Sequence, residues 1–205
     1  MNKRKWIHFY YKKLSFISLW WYRFTMGLTR VNHHVSKVKE IKEIPALFSY
    51  GGLYKSDPLG GKLDYLTHPT RLERRLNERS AGGKFGDCDD HAIYWATKIL
   101  KSKLAYNVWF AFYTMYDEEK EKYSGHAVCV YEDSMDYFWA DYRLPTNCGT
   151  ATLKNQWEWA ELSAFVYGRK PVAALMVKVD KVDENDTPVF GKVETKTWGE
   201  DYYGL

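Results

Sequence analysis

Long apolar runs, cysteines in number and acids near the N-terminus are all missing from this chain, and each gap excludes something. The longest charge-free apolar stretch runs from Leu14 to Trp21, with Tyr22, between Lys13 and Arg23. A spanning helix needs about 20 predominantly apolar residues, so no transmembrane segment is expected. Nor does WWYRFTMG offer the small-residue cleavage site of a secretory signal, so the chain is expected to start at or near Met1 and to be cytoplasmic. Three cysteines, Cys88, Cys129 and Cys148, are an odd count in 205 residues. Unless one pairs with another chain, at least one thiol is free, which fits a reducing compartment and leaves a reactive thiol open. There is no internal repeat and no low-complexity tract.

The charge is uneven. Residues 1–43 carry ten Lys/Arg against two acids, residues 44–179 balance at seventeen each, and residues 180–205 hold three against seven. Three regions follow: a basic aromatic N-terminal helical arm (1–43), a catalytic domain (44–180) and an acidic C-terminal extension (181–205). The arm mixes Trp, Phe, Tyr, Ile and Leu with Lys and Arg at helical spacing over residues 6–30. It is expected to dock on the domain or on a partner protein, with a membrane surface as the alternative. No nucleic-acid fold signature accompanies the basic residues, so nucleic acid is not an expected partner. Apolar residues at 45% and aromatics at 18% exclude a disordered chain.

Pro69 to Arg79 reads as a short charged helix opened by proline, and Ala81 to Gly86 as a glycine-rich loop. In Cys88 to Ser102, CDDHAIYWATKILKS, the residues Ala92, Ile93, Trp95, Ala96, Ile99 and Leu100 share one helical face, so this is a buried helix with Cys88 in its first turn. Strands are expected over Tyr106–Tyr116, Tyr123–Tyr131, Tyr137–Tyr142 and Pro171–Val179, with a helix over 155–167. A helix followed by an antiparallel sheet that packs against it is an α+β architecture.

The chemistry concentrates at Cys88, His126 and Asp141. Free N–H groups and the dipole at a helix start stabilise a thiolate, which makes Cys88 the candidate nucleophile. Asp87, Asp89 and Asp90 oppose this by crowding the thiol with like charge, so an imidazolium partner is needed. His126 shares a strand face with Val128 and Val130, and Asp141 one with Trp139 and Tyr137 on the expected antiparallel neighbour. The carboxylate can therefore hold one ring nitrogen while the other serves as base. A zinc site from Cys88, His91, His126 and Cys129 is not expected, because residues three apart on a strand point to opposite faces. His91 is expected to be structural or solvated, and Asp87 and Asp89 to cap the helix.

GDCDDHA, then GHAV, then the aspartate of WADYRLP, together with DYLTHP at 64–69, resembles the transglutaminase-like superfamily, and within it the bacterial transglutaminase-like cysteine proteinases. The resemblance covers about residues 57–145, and Leu66 stands where the family's motif has tryptophan. It implies a papain-like core, acyl-enzyme chemistry, and protein or peptide substrates. It points to Tyr65 as a second oxyanion donor beside the Cys88 N–H. No cofactor is required, although some relatives bind calcium through acids flanking the cysteine, which makes Asp87 and Asp89 candidate Ca2+ ligands. A cysteine peptidase or amidase is the expected function. Acyl transfer to an amine, as in a transglutaminase, and a non-catalytic binding module on the same fold are the alternatives.

Overall fold

The computed structural model describes residues 2–44, 65–77, 86–134, 136–141 and 155–199. Its centre is a five-stranded sheet formed by β1 (Asn107–Asp117), β2 (Lys122–Asp133), β3 (Asp136–Ala140), β4 (Lys170–Val182) and β5 (Pro188–Thr197). The order across the sheet is β3-β2-β1-β4-β5, and every pair is antiparallel. The α+β class expected from the sequence is therefore the observed one. β5 lies in the region expected to be an acidic extension, and β4 runs across the expected boundary at 180. No residue of β5 from Lys192 to Thr197 is buried and all of them but Val193 are polar, which hid the strand in the sequence.

Strand alternation puts two apolar layers on the sheet. Val108 and Phe110 of β1, with Ala127, Cys129 and Tyr131 of β2, face α4 (Cys88–Ser102), which buries Ala92, Ile93, Trp95, Ala96 and Ile99 against them. Trp109, Ala111, Tyr113 and Met115, with Val128 and Val130, face the other way onto α5 (Glu158–Val166) and its Trp159 and Ala160. Cys129 and Val128 thus sit in opposite layers, as the two-residue period requires. Cys148 lies outside the described residues.

The N-terminal arm is a single helical rod made of α1 (Lys3–Phe9), a π-helical segment (Tyr10–Leu14) and α2 (Ser15–Thr29). Ile7, Tyr11, Ser15 and Leu19 are all buried, four residues apart. In a regular α-helix that spacing drifts by about 40° per step. The wider π turn takes up the extra residue and keeps the stripe aimed at the domain. Ile7, Tyr11, Leu19, Tyr22 and Met26 join the same core as α4, and burial of each such side chain is worth roughly 1.5–3 kcal/mol. Tyr11 bonds Thr114 of β1 at 3.0 Å, and His8 reaches the Val172 carbonyl of β4 at 3.1 Å. The arm is docked on the domain.

Beneath it, α3 (Pro69–Asn77) is locked to α4 by a buried ion pair. Lys98 Nζ lies 3.0 Å from Glu73 Oε2, and both side chains are 2% exposed. Tyr94 and Ser36 also donate hydrogen bonds to Glu73, and Lys98 donates to both hydroxyls. Burial alone would push the Glu73 carboxyl up, but Ser36, Tyr94 and Lys98 outweigh it and hold the group below its usual range. A carboxylate with a depressed folded value contributes stability above its unfolded pKa and loses it as pH falls through the folded one. Lys98→Met, which strands Glu73, is expected to cost about 3–5 kcal/mol in urea unfolding at pH 7. That cost should shrink below the ordinary carboxyl value, as Glu73 takes up a proton.

Candidate active site

Cys88 is the first residue of α4, is half-buried and forms no disulfide among the described residues. Two residues earlier, Gly86 has φ +154°, and a Cβ there would stand 2.6 Å from Asp90 Oδ2. A glycine is required for the chain to enter the helix with the Asp90 carboxylate packed against its backbone. Asp90 accepts a hydrogen bond from the Thr67 N–H. Its neighbours Leu66 and His68 donate backbone N–H bonds to Thr25 at 3.0 Å and Thr29 at 2.8 Å on the arm. The helix start is therefore tied to the arm through the 65–68 segment.

His126 lies near the start of β2, opposite Tyr113 of β1. Asp141 follows β3 directly, and β3 pairs with β2 only from Asp133 back to Cys129. Continuing that register puts Asp141 beside Val128, on the face of His126 and two residues away. His126 Nε2 and Asp141 Oδ2 are 2.8 Å apart, and both residues are buried. An ionised carboxylate only accepts, so Nε2 carries the proton and Nδ1 is the nitrogen left for chemistry. Cys88 and His126 line one cavity of about 450 Å³, together with Asp87, Asp89, Tyr113 and Thr114.

Tyr167 was not singled out by the sequence. Its hydroxyl donates to Asp141 Oδ2 at 2.9 Å, and its ring meets His126 edge-on at 5.4 Å and 82°. Tyr113 stands on another side of the imidazole at 5.9 Å and 68°, its own hydroxyl fixed to Ser163 at 2.6 Å. The only sequence signal for Tyr167 is the glycine after it. Gly168 has φ +63°, its N–H bonds the Phe165 carbonyl, and the Arg169 N–H bonds that of Ala164. This left-handed helix end fixes where Tyr167 sits. The arm supplies the cavity's remaining wall with Trp6, Ile7, Tyr10, Tyr11, Ser18 and Tyr22, which the sequence also did not reveal.

Tyr65 is half-buried on the segment before α3 and is not among the residues lining the cavity. His91 is buried, and that burial pushes its pKa down to about 4 against the charge of Asp141. It is neutral at pH 7 and supplies no positive charge to the thiol.

The acids around Cys88 are more crowded than capping requires. Asp87 stands at the N-cap but its side chain makes no capping bond, and its Oδ1 is buried without a hydrogen-bond partner among the described residues. Asp89 Oδ1 accepts from the Asp90 N–H at 2.8 Å. Oxygens of Asp87, Asp89 and Asp90 lie within 4.8 Å of one another, all three residues buried. Burial, and then the charge of Asp87, pushes Asp90 up to about 7 against the opposing Thr67 bonds and Arg75. A buried, all-oxygen cluster with an unsatisfied acceptor fits a hard divalent cation.

No family model matches the sequence, and no curated protein matches it. Among solved structures the chain is similar to LapG of Legionella pneumophila. The EGTA-treated form matches at TM-score 0.38 and 17% identity, over 65% of this chain and 60% of that one. The calcium-bound form matches at TM-score 0.38 and 18% identity, over 65% and 62%. The match spans less than two thirds of LapG, and a likeness this loose carries no conclusion about activity.

Asp90 gives a test of the crowding. Its folded pKa lies above the unfolded 3.8, so its share of stability is fully present below about 4 and lost as pH rises to about 7. With a chelator present, Asp90→Asn, which still accepts from Thr67, is expected to be more stable than wild type by over ~1 kcal/mol at pH 8 and equal to it near pH 3. Denaturant unfolding at the two pH values checks this.

Proposed function

We propose that the protein is a cysteine hydrolase of the transglutaminase-like kind, a peptidase or amidase working through Cys88, His126 and Asp141. The reading rests on the buried 2.8 Å bond between His126 and Asp141 beside a cavity that Cys88 shares with the same histidine. In this reading Asp141 holds Nε2–H, and His126 Nδ1 takes the proton of the Cys88 thiol. The thiolate attacks a substrate carbonyl carbon, and the oxyanion is met by the Cys88 backbone N–H at the helix start. Collapse breaks the C–N bond, the leaving amine takes the proton from His126, and water then cleaves the thioester and restores the thiol.

Tyr167 acts through Asp141 as a positioning residue. Its hydroxyl donates to the same oxygen, Oδ2, that faces His126 Nε2, and so fixes the orientation of that oxygen. A cavity of about 450 Å³ accepts a few side chains, so the acyl donor enters as an extended or terminal segment. Where a divalent cation such as Ca2+ binds, Asp87, Asp89 and Asp90 are the residues to hold it, and its chemistry there is to neutralise negative charge next to Cys88. Acyl transfer to an amine would use the same acyl-enzyme but needs a second, amine-binding subsite, so hydrolysis is the simpler reading.

Alkylation reports on the site without a known substrate. At pH 6–7 an ordinary thiol of pKa about 8.5 is mostly protonated. Iodoacetamide is expected to label Cys88 at least about tenfold faster than free cysteine, with the fast phase gone in Cys88→Ala. If Cys88 reacts no faster than free cysteine, the enzyme reading fails. The substrate class is then read by mass spectrometry of acyl donors captured on Cys88→Ser, and hydrolysis is separated from acyl transfer by offering a glutamine peptide with a labelled amine.

Two variants test the histidine's supports. Asp141→Asn is expected to slow that labelling by roughly tenfold or more, because the wrong tautomer is then favoured. Tyr167→Phe should slow it less, about threefold, and shift the pH midpoint of labelling while leaving the thermal midpoint within a few degrees. An unchanged pH midpoint in Tyr167→Phe would make the tyrosine merely structural.

A further inference from the structure

The arm helix buries one stripe in the domain and turns a second apolar stripe to solvent. Phe16, Trp20, Phe24 and Leu28 follow at four-residue intervals and are 64%, 63%, 47% and 69% exposed, with Ile17 and Phe9 extending the stripe at 51% and 46%. Trp20 and Phe24 stack in parallel at 5.8 Å, which makes a continuous aromatic ridge. Ordinary docked helices show polar residues on the outer face, so a second apolar face calls for an occupant.

Charge selects among the occupants. The first acid in the chain is Glu40, whereas Lys3, Arg4, Lys5, Lys12, Lys13, Arg23 and Arg30 all precede it. Lys5, Lys12 and Lys13 are exposed beside the ridge, and among the described residues no carboxylate pairs with them. A second copy seated on this face would bring the same positive charge against itself, because a two-fold contact repeats the patch. From Phe9 to Leu28 the ridge extends roughly 30 Å along the helix. Aromatic side chains flanked by lysines on one side of a helix match a lipid interface, and the helix is too short and too charged to cross it.

We propose that this face docks on an anionic lipid surface, with Phe16, Trp20, Phe24 and Leu28 entering the headgroup boundary and Lys5, Lys12 and Lys13 meeting lipid phosphates. The opposite face of the same helix walls the cavity containing Cys88, which places that cavity about one helix diameter, ~10 Å, above the bilayer. The docking is independent of the cavity's chemistry and stands whether or not Cys88 is a nucleophile.

The experiment is flotation of the full chain with phosphatidylcholine vesicles, with and without phosphatidylglycerol, at low and high salt. The expected result is binding at least about tenfold stronger to the anionic vesicles, weakened by salt. Trp20→Ser/Phe24→Ser should lose most of the binding to anionic vesicles, and Lys12→Glu/Lys13→Glu should lose the preference for them. Both pairs are solvent-exposed, and an unchanged thermal midpoint confirms that the fold is kept. The proposal is overturned by absent or equal binding to both vesicle types, or by variants that bind like wild type. It is equally overturned by a dimer that Trp20→Ser/Phe24→Ser dissociates, or by binding to polyglutamate without binding to vesicles.

Discussion

The hydrogen bond between His126 and Asp141 depends on where a strand stops. β3 pairs with β2 only as far as Ala140, so the next residue, Asp141, leaves the ladder at the rim of the sheet. From that position its carboxylate meets the His126 imidazole at Nε2. Tyr113 of β1 and Tyr167 from the end of α5 pack around the ring, so its rotamer is set from two layers of the fold. Such enclosure keeps a catalytic imidazole pointed in one direction at low reorganisation cost.

The start of α4 carries the opposite problem. A helix N-terminus favours an anion, and the first anions available to it are three aspartates rather than the thiol. The fold relieves part of this by holding Asp90 protonated up to about pH 7, in a space that Gly86 leaves open and the Thr67 N–H satisfies. Asp87 is left with a buried oxygen that no hydrogen bond satisfies among the described residues. An uncompensated buried carboxylate costs more than a surface one, so the cluster is either destabilising or balanced by positive charge. His91 cannot provide that charge, because its own burial keeps it neutral.

Local features of the site were legible in the sequence, and long-range ones were not. A cysteine after Gly-Asp at the head of an apolar-faced segment marks a helix start, and α4 runs from Cys88 to Ser102 as its periodicity requires. The two-residue period assigned His126 and Asp141 to one face, because alternation is a property of each strand alone. Tyr167 was hidden because its role depends on a left-handed turn that swings the end of α5 back over β2. The arm's place in the cavity wall was hidden for a similar reason: Tyr11 and Thr114, which bond, lie far apart in sequence. β5 escaped because no residue from Lys192 to Thr197 is buried, so neither face of that half carries the apolar alternation that marks a half-buried strand.

The arm ties these parts together. Thr25 and Thr29 accept the backbone N–H groups of Leu66 and His68, so the segment that satisfies Asp90 is itself held by the helix. The same helix supplies Trp6, Ile7, Tyr10 and Tyr11 to the cavity. Removing the arm would therefore expose the Cys88 side of the core, free the 65–68 segment and leave Asp90 without its donor at the same time. A helix that only tethered the domain would need none of these contacts. Its position makes the shape of the cavity and the electrostatics around Cys88 depend on a single docked element, so anything that shifts the arm is felt at both.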